Sequence, residues 1–322
     1  MEDIFKKLTD LINKYDRFLI ATHKDPDFDG MGSAIAMQQI LNSFEKENYI
    51  VIDDKNLNTS MQKKFKMLSE QKILLNTIET NKALKLISSN TVVIILDTHR
   101  KERLEEPRLV DNANVIILDH HIKARDYIKE TLLSHIIASF SSTAEIMTEY
   151  LKYLKIEIPE PVATILMVGI EIDTNHFRGE INAETYEAVA FLARAGINNI
   201  IRQELLQEPK EEYLKRQKVI ENSFIVKDNI HIGVVEDICE AKDLALIAED
   251  MIKFKNVEAV FVIGKISKQD AGVSTRSVGR INVKRIMESI GGGGHMYKAA
   301  ARLKDTSLEE AKKIILKSLG EK

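Results

Sequence analysis

Cysteine is nearly absent from this sequence of 322 residues. The single cysteine, Cys239, excludes an intramolecular disulfide and any metal site built from several cysteines. No segment approaches the roughly 18 unbroken apolar residues that a membrane-spanning helix requires. The N-terminal segment contains acidic residues and has neither the apolar stretch nor the cleavage site of a secretory signal. These absences predict a cytoplasmic protein that does not insert into a membrane.

An excess of positive charge is also missing, because 46 lysines and arginines are balanced by 49 aspartates and glutamates, a net charge of -3. Dedicated duplex-DNA-binding proteins usually carry a strongly basic face, so this balance argues against that function. It remains compatible with a short or cyclic nucleotide held in a local basic pocket. The 44% hydrophobic and 30% charged residues are typical of a globular protein, and the length is sufficient for two domains.

The first half of the chain alternates apolar, β-branched segments with helical patterns. Buried strands are predicted at 17–22, 49–53, 92–96 and 114–118. Such runs suit a parallel sheet covered on both faces, and their alternation with helices predicts βαβ units. Helices are predicted at 30–44, 141–154, about 159–172 and 183–195. Ser141 or Ser142 is the expected N-cap of the second of these helices.

The second half carries another α/β pattern. Strands are predicted at 230–235, 257–264 and 271–276, and helices at 241–252, 282–289 and 307–318. The polar segment between the two patterns contains Pro209 and is predicted to be a partly helical connection. We therefore predict an α/β protein with an N-terminal parallel-sheet domain at 1–195, a linker at 196–215 and a smaller α/β domain at 216–322, with a cleft between the domains.

Acidic and histidine residues directly follow three of the predicted strands. The first group contains His23, Asp27 and Asp29, the second is Asp97, and the third contains His120 and His121. In open α/β sheets, ligands bind beyond the carboxyl ends of the strands, so these side chains are expected to meet at one edge of the sheet. Asp173 ends a predicted helix and is expected to lie over the same edge.

Carboxylates and imidazoles without cysteine suit divalent ions such as Mn²⁺, Mg²⁺ or Fe²⁺, and clustered carboxylates repel one another unless cations neutralise them. Two ions about 3.5–4 Å apart can activate a water and stabilise the leaving oxygen of a phosphoryl transfer. Asp97 is the expected bridging ligand, because it stands alone between the other groups. The pattern predicts a two-metal phosphoesterase with the ligands His23, Asp27, Asp29, Asp97, His120 and Asp173. Asp25 fits the simpler role of a turn former.

A second candidate site lies near the C-terminus, where four glycines, Gly291, Gly292, Gly293 and Gly294, precede His295. Consecutive glycines allow the backbone to approach a phosphate and to direct N–H groups at it, and a helix predicted to start near His295 would add its positive end. Arg276, at the end of a predicted strand, suits bidentate binding of phosphate. Ser274 and Ser277 are further candidates. Alone, such a glycine run is more often a flexible hinge than a phosphate-binding loop.

Several motifs together resemble those of the DHH phosphoesterase superfamily. HKDPDFDGMGS, LDTHR, DHH and GIEIDTNHF are similar to its four motifs in order, and STRS with GGGGH resembles its DHH-associated C-terminal domain. The resemblance implies that His23, Asp27 and Asp97 hold one metal, usually Mn²⁺. It implies that Asp29, Asp97, His120 and Asp173 hold the other, and that His121 contacts the scissile phosphate or protonates the leaving oxygen. Arg276, Ser277, the glycine loop and His295 would grip a substrate phosphate or base.

The stretch RSVGRINVKRIMESIGGGGHMYKAA is similar to the tail of cyclic-di-AMP phosphodiesterases. Because no membrane, sensory or cyclase segment is present, the chain resembles a stand-alone type, and a homodimer is expected by resemblance. The implied reaction converts cyclic-di-AMP to the linear dinucleotide pApA and then to AMP. Activity as a nanoRNase or as a 3′-phosphoadenosine 5′-phosphate phosphatase remains an alternative. An inorganic pyrophosphatase would leave GGGGH unexplained, and a sensor without turnover should lack a metal ligand, whereas none is missing.

Some positions depart from the pattern or need separate interpretation. Related sequences commonly carry a basic residue a few positions after the last phenylalanine of the fourth motif, where this chain has Glu180, with Arg178 closer to the phenylalanine. His99 and Arg100 lie near Asp97 and are candidates for contact with the substrate. His135, His176 and His231 are expected to be structural.

Overall fold

The computed structural model describes residues 1–53, 57, 62, 67, 75–178, 181–227 and 229–320. The chain divides into two units, Met1–Gln207 and Glu208–Lys322. In the part of the chain that the structure describes, no helix combines the length and apolarity needed to cross a membrane.

The first unit is built on a six-stranded parallel sheet with the order β3-β2-β1-β4-β5-β6. Its strands are β1 (Arg17–Ala21), β2 (Glu47–Val51), β3 (Thr77–Ile78), β4 (Thr91–Leu96), β5 (Asn114–Asp119) and β6 (Leu133–Ile136). Every residue of β4 is buried, as expected for a central parallel strand covered on both faces. The predicted parallel-sheet domain is therefore confirmed.

Helices cover both faces of this sheet. They are α1 (Glu2–Lys14), α2 (Phe28–Ser43), α3 (Thr80–Ala83), α4 (Thr143–Leu154), α5 (Glu160–Asp173), α6 (Ala183–Ala195) and α7 (Asn199–Leu206), with 3₁₀ turns at Leu84–Leu86, Lys101–Arg103 and Pro107–Val110. Alternate residues of each strand enter different cores. In β4, Val92 and Ile94 pack with α1, α2, α4 and α5, whereas Val93 and Ile95 pack with Leu104 and Leu109 on the other face.

Two helix caps and one glycine hold the helices near the later site in place. Asp27 is the N-cap of α2, and its Oδ1 accepts the backbone N–H groups of Asp29 and Gly30. Ser142 caps α4 by accepting the N–H of Glu145, which confirms one of the two predicted caps. Gly169 allows α5 to pack closely on α2, because a Cβ there would lie 3.1 Å from the Cα of Asp29. The start of α2 is thus fixed against α5.

The second unit contains a mixed six-stranded sheet with the order β11-β12-β10-β9-β8-β7. Its strands are β7 (Phe224–Lys227), β8 (Ile230–Ile238), β9 (Ala259–Lys265), β10 (Ala271–Ser277), β11 (Gly293–Gly294) and β12 (Lys298–Leu303). Its helices are α8 (Lys210–Glu221), α9 (Ala241–Met251), α10 (Val283–Ser289) and α11 (Leu308–Ser318). Leu244 and Ile247 of α9 pack on one face of the sheet, and Met287 and Ile315 pack on the other.

The prediction of a helix starting near His295 is wrong. The chain instead forms β12, which pairs antiparallel with β10 and places Lys298 opposite Arg276. The reason is that burial alternates from one residue to the next, as it does in a strand with one buried face. Ala299, Ala301 and Leu303 are buried, and the residues between them are exposed. The short strand β11 completes a hairpin with β12.

Candidate metal centre

The six predicted ligands surround the point where the order of the first sheet reverses. From β1 the chain proceeds outward to β2 and β3, and from β4 it proceeds outward to β5 and β6 on the other side. Such a switch point leaves a crevice beyond the carboxyl ends of the central strands. His23 follows β1, Asp97 follows β4, and His120 follows β5. The sheet therefore delivers these three side chains to one edge, as the sequence predicts.

His23, Asp27 and Asp97 form the first group. The Nε2 atom of His23 lies 3.3 Å from Oδ2 of Asp97 and 3.9 Å from Oδ1 of Asp27. The three residues offer ligand atoms that all lie within 4.8 Å of one another. The other ring nitrogen of His23, Nδ1, is 2.9 Å from the carbonyl oxygen of Lys24. That carbonyl can only accept, so Nδ1 carries a proton, and Nε2 is the nitrogen that faces the two carboxylates and would bind a metal.

Asp29, His120 and Asp173 form the second group. The Nε2 atom of His120 lies 3.1 Å from Oδ2 of Asp173 and 3.7 Å from Oδ2 of Asp29. Asp29 is only 1% exposed and accepts two backbone N–H groups from the first turn of α4: that of Thr143 at 2.8 Å and that of Ala144 at 2.6 Å. The helix N-terminus thus stabilises the carboxylate and fixes both of its oxygens.

Asp97 lies between the two groups. Its Oδ2 faces His23, while its Oδ1 lies 3.5 Å from Nε2 of His120 and accepts the hydroxyl of Thr143 at 3.3 Å. Its backbone adopts a φ of 61°, in the left-handed region that a non-glycine residue rarely occupies. Such strain is common at functional sites, where the surrounding structure imposes it. One carboxylate therefore offers an oxygen to each group.

The carboxylates and histidines of this centre strongly perturb one another. Burial, together with the charges of Asp97 and Asp173, holds the pKa of Asp29 well above its ordinary value. Burial also raises the pKa of Asp173. Burial of His23 acts in the opposite direction, but Asp27 and Asp97 outweigh it and raise the pKa of His23 to about 10. The chain thus concentrates negative charge that favours protons or other cations.

The residues present fit a pair of divalent cations. The Nε2 atom of His120 is buried and has no hydrogen-bond partner among the described residues, although carboxylate oxygens surround it. An unpartnered buried nitrogen near several oxygens is explained by a shared ion better than by direct hydrogen bonds. A side chain at residue 30 would crowd the centre, since a Cβ on Gly30 would lie 3.3 Å from Oδ2 of Asp97. Oxygen and imidazole ligands without thiolate suit Mn²⁺, Mg²⁺ or Fe²⁺.

His121 is held beside the two groups by Asp119. Asp119 is fully buried, and its Oδ1 lies 2.8 Å from Nδ1 of His121 and accepts the backbone N–H of His121 at 3.0 Å. Burial alone would raise the pKa of Asp119, but hydrogen bonds from His121 and His99 hold it well below its ordinary value. Nδ1 of His121 also lies 3.5 Å from Oδ1 of Asp97. The sequence places His121 in the site but assigns no role to Asp119.

His99 and Arg100, the two further candidates for contact with the substrate, both have protein partners in the structure. His99 is buried and hydrogen-bonds through both ring nitrogens, to Asp119 and to the backbone of Ala124. Arg100 forms an ion pair with Asp126. Thr143 was also missed as a contact of Asp97, although the predicted N-cap at Ser142 marks the helix start that places it there.

Comparison with known domain families identifies two matches along the chain. Residues 17–170 match the DHH family, N-terminal domain, and residues 227–321 match the DHHA1 domain. The chain is built from a DHH domain followed by a DHHA1 domain. The DHH match contains both predicted metal groups except Asp173, which follows it closely.

Two named enzymes are among the relatives that match nearly all of this chain. It is 34% identical over 310 residues to the cyclic-di-AMP phosphodiesterase GdpP of Geobacillus thermodenitrificans, covering 94% of this chain and 47% of the relative. The chain thus spans about half the length of that relative. It is 25% identical over 309 residues to the bifunctional oligoribonuclease and PAP phosphatase NrnA of Thermus thermophilus, covering 94% of this chain and 89% of the relative.

The fold is also found in a solved structure. An exopolyphosphatase-related protein from Bacteroides fragilis superimposes with a TM-score of 0.80 at 20% identity, covering 99% of this chain and 96% of that one. At this level of identity the match supports the fold.

In the DHHA1 domain, Arg276 already has a protein partner. It is 8% exposed, and its guanidinium donates to Oε1 of Glu249 on α9 at 2.7 Å. It also donates to the carbonyl of Thr275 at 3.0 Å and to the hydroxyl of Ser274 at 3.3 Å. Ser277, the next residue, accepts the N–H of Gly279 through its hydroxyl. No sequence pattern points to Glu249, which lies 27 residues before Arg276.

The glycine loop is arranged differently from the predicted row of phosphate-directed N–H groups. The N–H groups of Gly291, Gly292 and His295 donate to the carbonyls of Glu288, Met287 and Lys298. A Cβ on Gly292 would lie 2.3 Å from the carbonyl oxygen of Ala300, so this glycine is required by close packing on β12. A Cβ on Gly293 would meet nothing within 4 Å. The open sides of Gly291 and Gly293 and the exposed side chain of His295 are therefore the parts of the loop that a ligand can approach.

The remaining sequence expectations concern the fourth motif and the other histidines. Glu180 lies outside the described residues. His176 contacts Glu171 at 3.0 Å, and Glu171 also accepts Nε–H of Arg202 at 2.6 Å. His135 is buried in β6 beside Phe140, and His231 lies in β8. These positions agree with structural roles.

Proposed function

We propose that this chain is a metal-dependent phosphodiesterase that hydrolyses cyclic-di-AMP, the linear dinucleotide pApA, or both, ultimately to AMP. The observation that carries the proposal is the convergence of two acid–histidine groups on Asp97 at the switch point of the sheet. The 34% identity to a cyclic-di-AMP phosphodiesterase over 94% of the chain supports the substrate class. Mn²⁺ is the proposed metal.

His23, Asp27 and Asp97 would hold one cation, and Asp29, Asp97, His120 and Asp173 the other. Two divalent cations in such a site lower the pKa of water and neutralise charge on the phosphate. In each hydrolysis the oxygen of one water molecule bonds to phosphorus, and the bond from phosphorus to the 3′ oxygen breaks. One proton of that water ends on the departing 3′ oxygen, and the other is released.

His121 is the proposed proton donor or phosphate contact. Because its Nδ1 faces Asp119, the ring is oriented and Nε2 is left for the substrate. A positioned histidine of this kind contributes about 10²–10⁴-fold to a proton-transfer step. In the DHHA1 domain, we propose that Arg276, Ser277, His295 and the glycine loop bind a non-reacting phosphate or base of the nucleotide.

A second candidate function is hydrolysis of short oligoribonucleotides and of 3′-phosphoadenosine 5′-phosphate. It is favoured by the match to NrnA, which extends over 89% of that relative. The same metal groups would serve both functions, and the difference would lie in the contacts to the rest of the substrate.

The decisive experiment compares substrates with Mn²⁺ present or chelated. The panel contains cyclic-di-AMP, pApA, cyclic-di-GMP, pGpG, 3′-phosphoadenosine 5′-phosphate and a five-nucleotide RNA, with products separated by chromatography. We expect the highest kcat/KM with an adenine dinucleotide and no turnover after chelation. A preference for the RNA or the bisphosphate would select the second function, and full activity without divalent metal would overturn both.

Asp97→Asn provides the matched test of the metal centre. Loss of the shared carboxylate should remove several kcal/mol of charge stabilisation and lower kcat by about a thousandfold or more. Asp126→Asn is the control, because Asp126 is an exposed carboxylate paired with Arg100 outside the metal groups. Retention of activity by Asp97→Asn would contradict the proposed site.

A further inference from the structure

His99 is buried close to the metal centre but contacts neither predicted metal group through its ring. It is 3% exposed, its Nδ1 hydrogen-bonds with Oδ2 of Asp119, and its Nε2 lies 2.8 Å from the backbone nitrogen of Ala124. A backbone N–H can only donate, so Nε2 of His99 must accept. The ring therefore carries its proton on Nδ1, which donates to Asp119. The hydrogen bonds therefore fix the tautomer of this histidine.

Asp119 connects His99 to His121. Its Oδ2 accepts from His99, while its Oδ1 accepts the backbone N–H of His121 at 3.0 Å and faces Nδ1 of His121 at 2.8 Å. A carboxylate held at only one oxygen can rotate about its Cβ–Cγ bond, whereas one held at both oxygens cannot. His99 thus keeps Oδ1 of Asp119 directed at the ring of His121. The N–H of Ala124 completes the chain of hydrogen bonds by holding His99 itself.

We propose that His99 is a positioning residue that acts through Asp119 to hold a proton of His121 on Nδ1, so that Nε2 is the nitrogen that takes a proton from the attacking water and passes it to the departing 3′ oxygen. This inference rests on the function proposed above, because it gives His121 its role. An outer residue that orients a reacting histidine typically changes activity by 10- to 100-fold when it is replaced. The correct tautomer is the important consequence, because a ring with its proton on the wrong nitrogen cannot perform the same transfer.

Two conservative variants separate the hydrogen bonds of His99. Asparagine places an amide nitrogen near the position of Nδ1, so His99→Asn keeps a donor for Asp119 and loses the acceptor for Ala124. Glutamine places its amide near the position of Nε2, so His99→Gln keeps an acceptor for Ala124 and loses the donor for Asp119. A purely structural role predicts that both variants lose a similar amount of activity. A role through Asp119 predicts that His99→Asn retains most of the wild-type kcat, whereas His99→Gln does not.

We expect His99→Gln to lower kcat by about 10- to 100-fold, with KM and the Kd for Mn²⁺ within threefold of wild type. His99→Asn should recover most of that loss. The control is His135→Gln, which changes a comparably buried histidine of β6 whose Nε2 has no hydrogen-bond partner among the described residues. It should lower Tm without lowering kcat. Equal loss of kcat in both His99 variants, or a loss of kcat in His135→Gln as large as that in His99→Gln, would overturn the proposal.

A second measurement does not depend on turnover. Long-range ¹H–¹⁵N spectra of the full chain labelled at histidine nitrogen and loaded with diamagnetic Mg²⁺ report the tautomer of each ring. We expect Nδ1–H for His99 and His121 in the wild type, and mixed tautomers for His121 in His99→Gln but not in His99→Asn. An Nε2–H signal for His99 would refute the inference. If no nucleotide is hydrolysed by any variant or by wild type, the proposed function fails, while these spectra still decide the role of His99.

Discussion

His23 and Asp97 face each other across the switch point of the first sheet, with Nε2 of His23 3.3 Å from Oδ2 of Asp97. Their strands, β1 and β4, are neighbours in the sheet although 69 residues separate the last residue of β1 from the first of β4. Hydrogen bonding between parallel strands therefore brings the first and second motifs together. Without a cation, His23 shares a proton with Asp27 and Asp97, and these two carboxylates raise its pKa to about 10 despite its burial.

Metal binding should therefore strengthen as the pH rises. A cation needs the neutral form of His23, and because the pKa of this ring is about 10 in the metal-free protein, binding must displace a proton at neutral pH. We expect the Kd for Mn²⁺ to fall by about tenfold per pH unit between pH 6.5 and 8.5. Titration calorimetry in buffers of different ionisation enthalpy would show release of at least one proton, because the pKa of Asp29 is also raised. A Kd that does not change across this range would contradict the assigned ligand.

The same shift predicts how the stability of the metal-free protein depends on pH. The pKa of His23 is higher in the folded chain than its ordinary value of 6.5, so the proton stabilises the fold. This contribution is complete below pH 6.5 and is lost as the pH rises toward 10. Chelated wild-type protein should lose Tm across that window, whereas the Mn²⁺-loaded protein should change less. His23→Gln should have a flatter Tm profile after chelation, and an equally steep profile would assign the effect to other groups.

Asp173 should destabilise the metal-free protein and stabilise the loaded one. The pKa of Asp173 is raised by burial and by neighbouring carboxylates, so the folded state favours its protonated form. The stability that this proton gives the fold is lost as the pH rises above 3.8, the ordinary pKa of the group. At pH 7.5 we expect Asp173→Asn to raise the Tm of chelated protein by about 2–4 °C, which corresponds to roughly 1 kcal/mol for a unit of this size. With excess Mn²⁺, wild type should be the more stable protein, because tighter binding stabilises the fold more. A lower Tm of Asp173→Asn after chelation would oppose this interpretation.

The metal centre of the first unit could be predicted because most of its residues lie directly after strands in the sequence. Each ligand group directly follows a hydrophobic strand, and one rule about parallel sheets brings the groups together. The structure places His23, Asp97 and His120 as that rule requires. The contacts that hold these ligands are less visible in the sequence. Asp29 is held by the first turn of α4, more than a hundred residues later, and this contact exists only after the helices have packed.

The C-terminal site was less predictable because packing decides it. A run of glycines is compatible with a phosphate-binding loop, a hinge or a close approach of strands. In the structure, Gly292 and Gly294 allow the backbone to pack closely against β12. The prediction of a helix near His295 was wrong for the same reason. The three alanines of β12 have high helix propensity, but pairing with β10 overrides it. The ion pair of Arg276 with Glu249 likewise depends on a helix packed across the sheet.

Gly293 and Gly294 should respond differently to the same substitution. Gly294 has a φ of 141°, and a Cβ there would lie 2.5 Å from both the Cα of Ala299 and the carbonyl oxygen of Lys298, so Gly294→Ala should lower the free energy of unfolding by about 2 kcal/mol or more. A Cβ on Gly293 meets nothing within 4 Å, so Gly293→Ala should stay within about 0.5 kcal/mol of wild type. Chemical denaturation measures both.

Gly293→Ala also tests the proposed substrate contact, because it leaves the fold intact. If the nucleotide approaches the open face of this glycine, the added methyl group should raise KM by about tenfold and leave kcat nearly unchanged. The same KM in Gly293→Ala and wild type would show that the substrate does not reach this part of the loop.

Arg276 and Glu249 give the last prediction, because their ion pair competes with the proposed phosphate contact. The guanidinium donates to Glu249 at 2.7 Å and to Thr275 and Ser274, a set that a lysine ammonium cannot reproduce in the same geometry. Arg276→Lys should therefore raise KM for the dinucleotide by about 10- to 100-fold with a smaller change in kcat.

Glu249→Gln keeps an oxygen for Arg276 but removes the competing charge, so it should lower KM by about three- to tenfold, or roughly 1 kcal/mol, at low salt. Glu249→Ala removes the positioning contact as well and should not share that gain. Steady-state kinetics at two ionic strengths would measure all three variants. A higher KM in Glu249→Gln than in wild type would mean that the carboxylate positions Arg276 more than it competes for it.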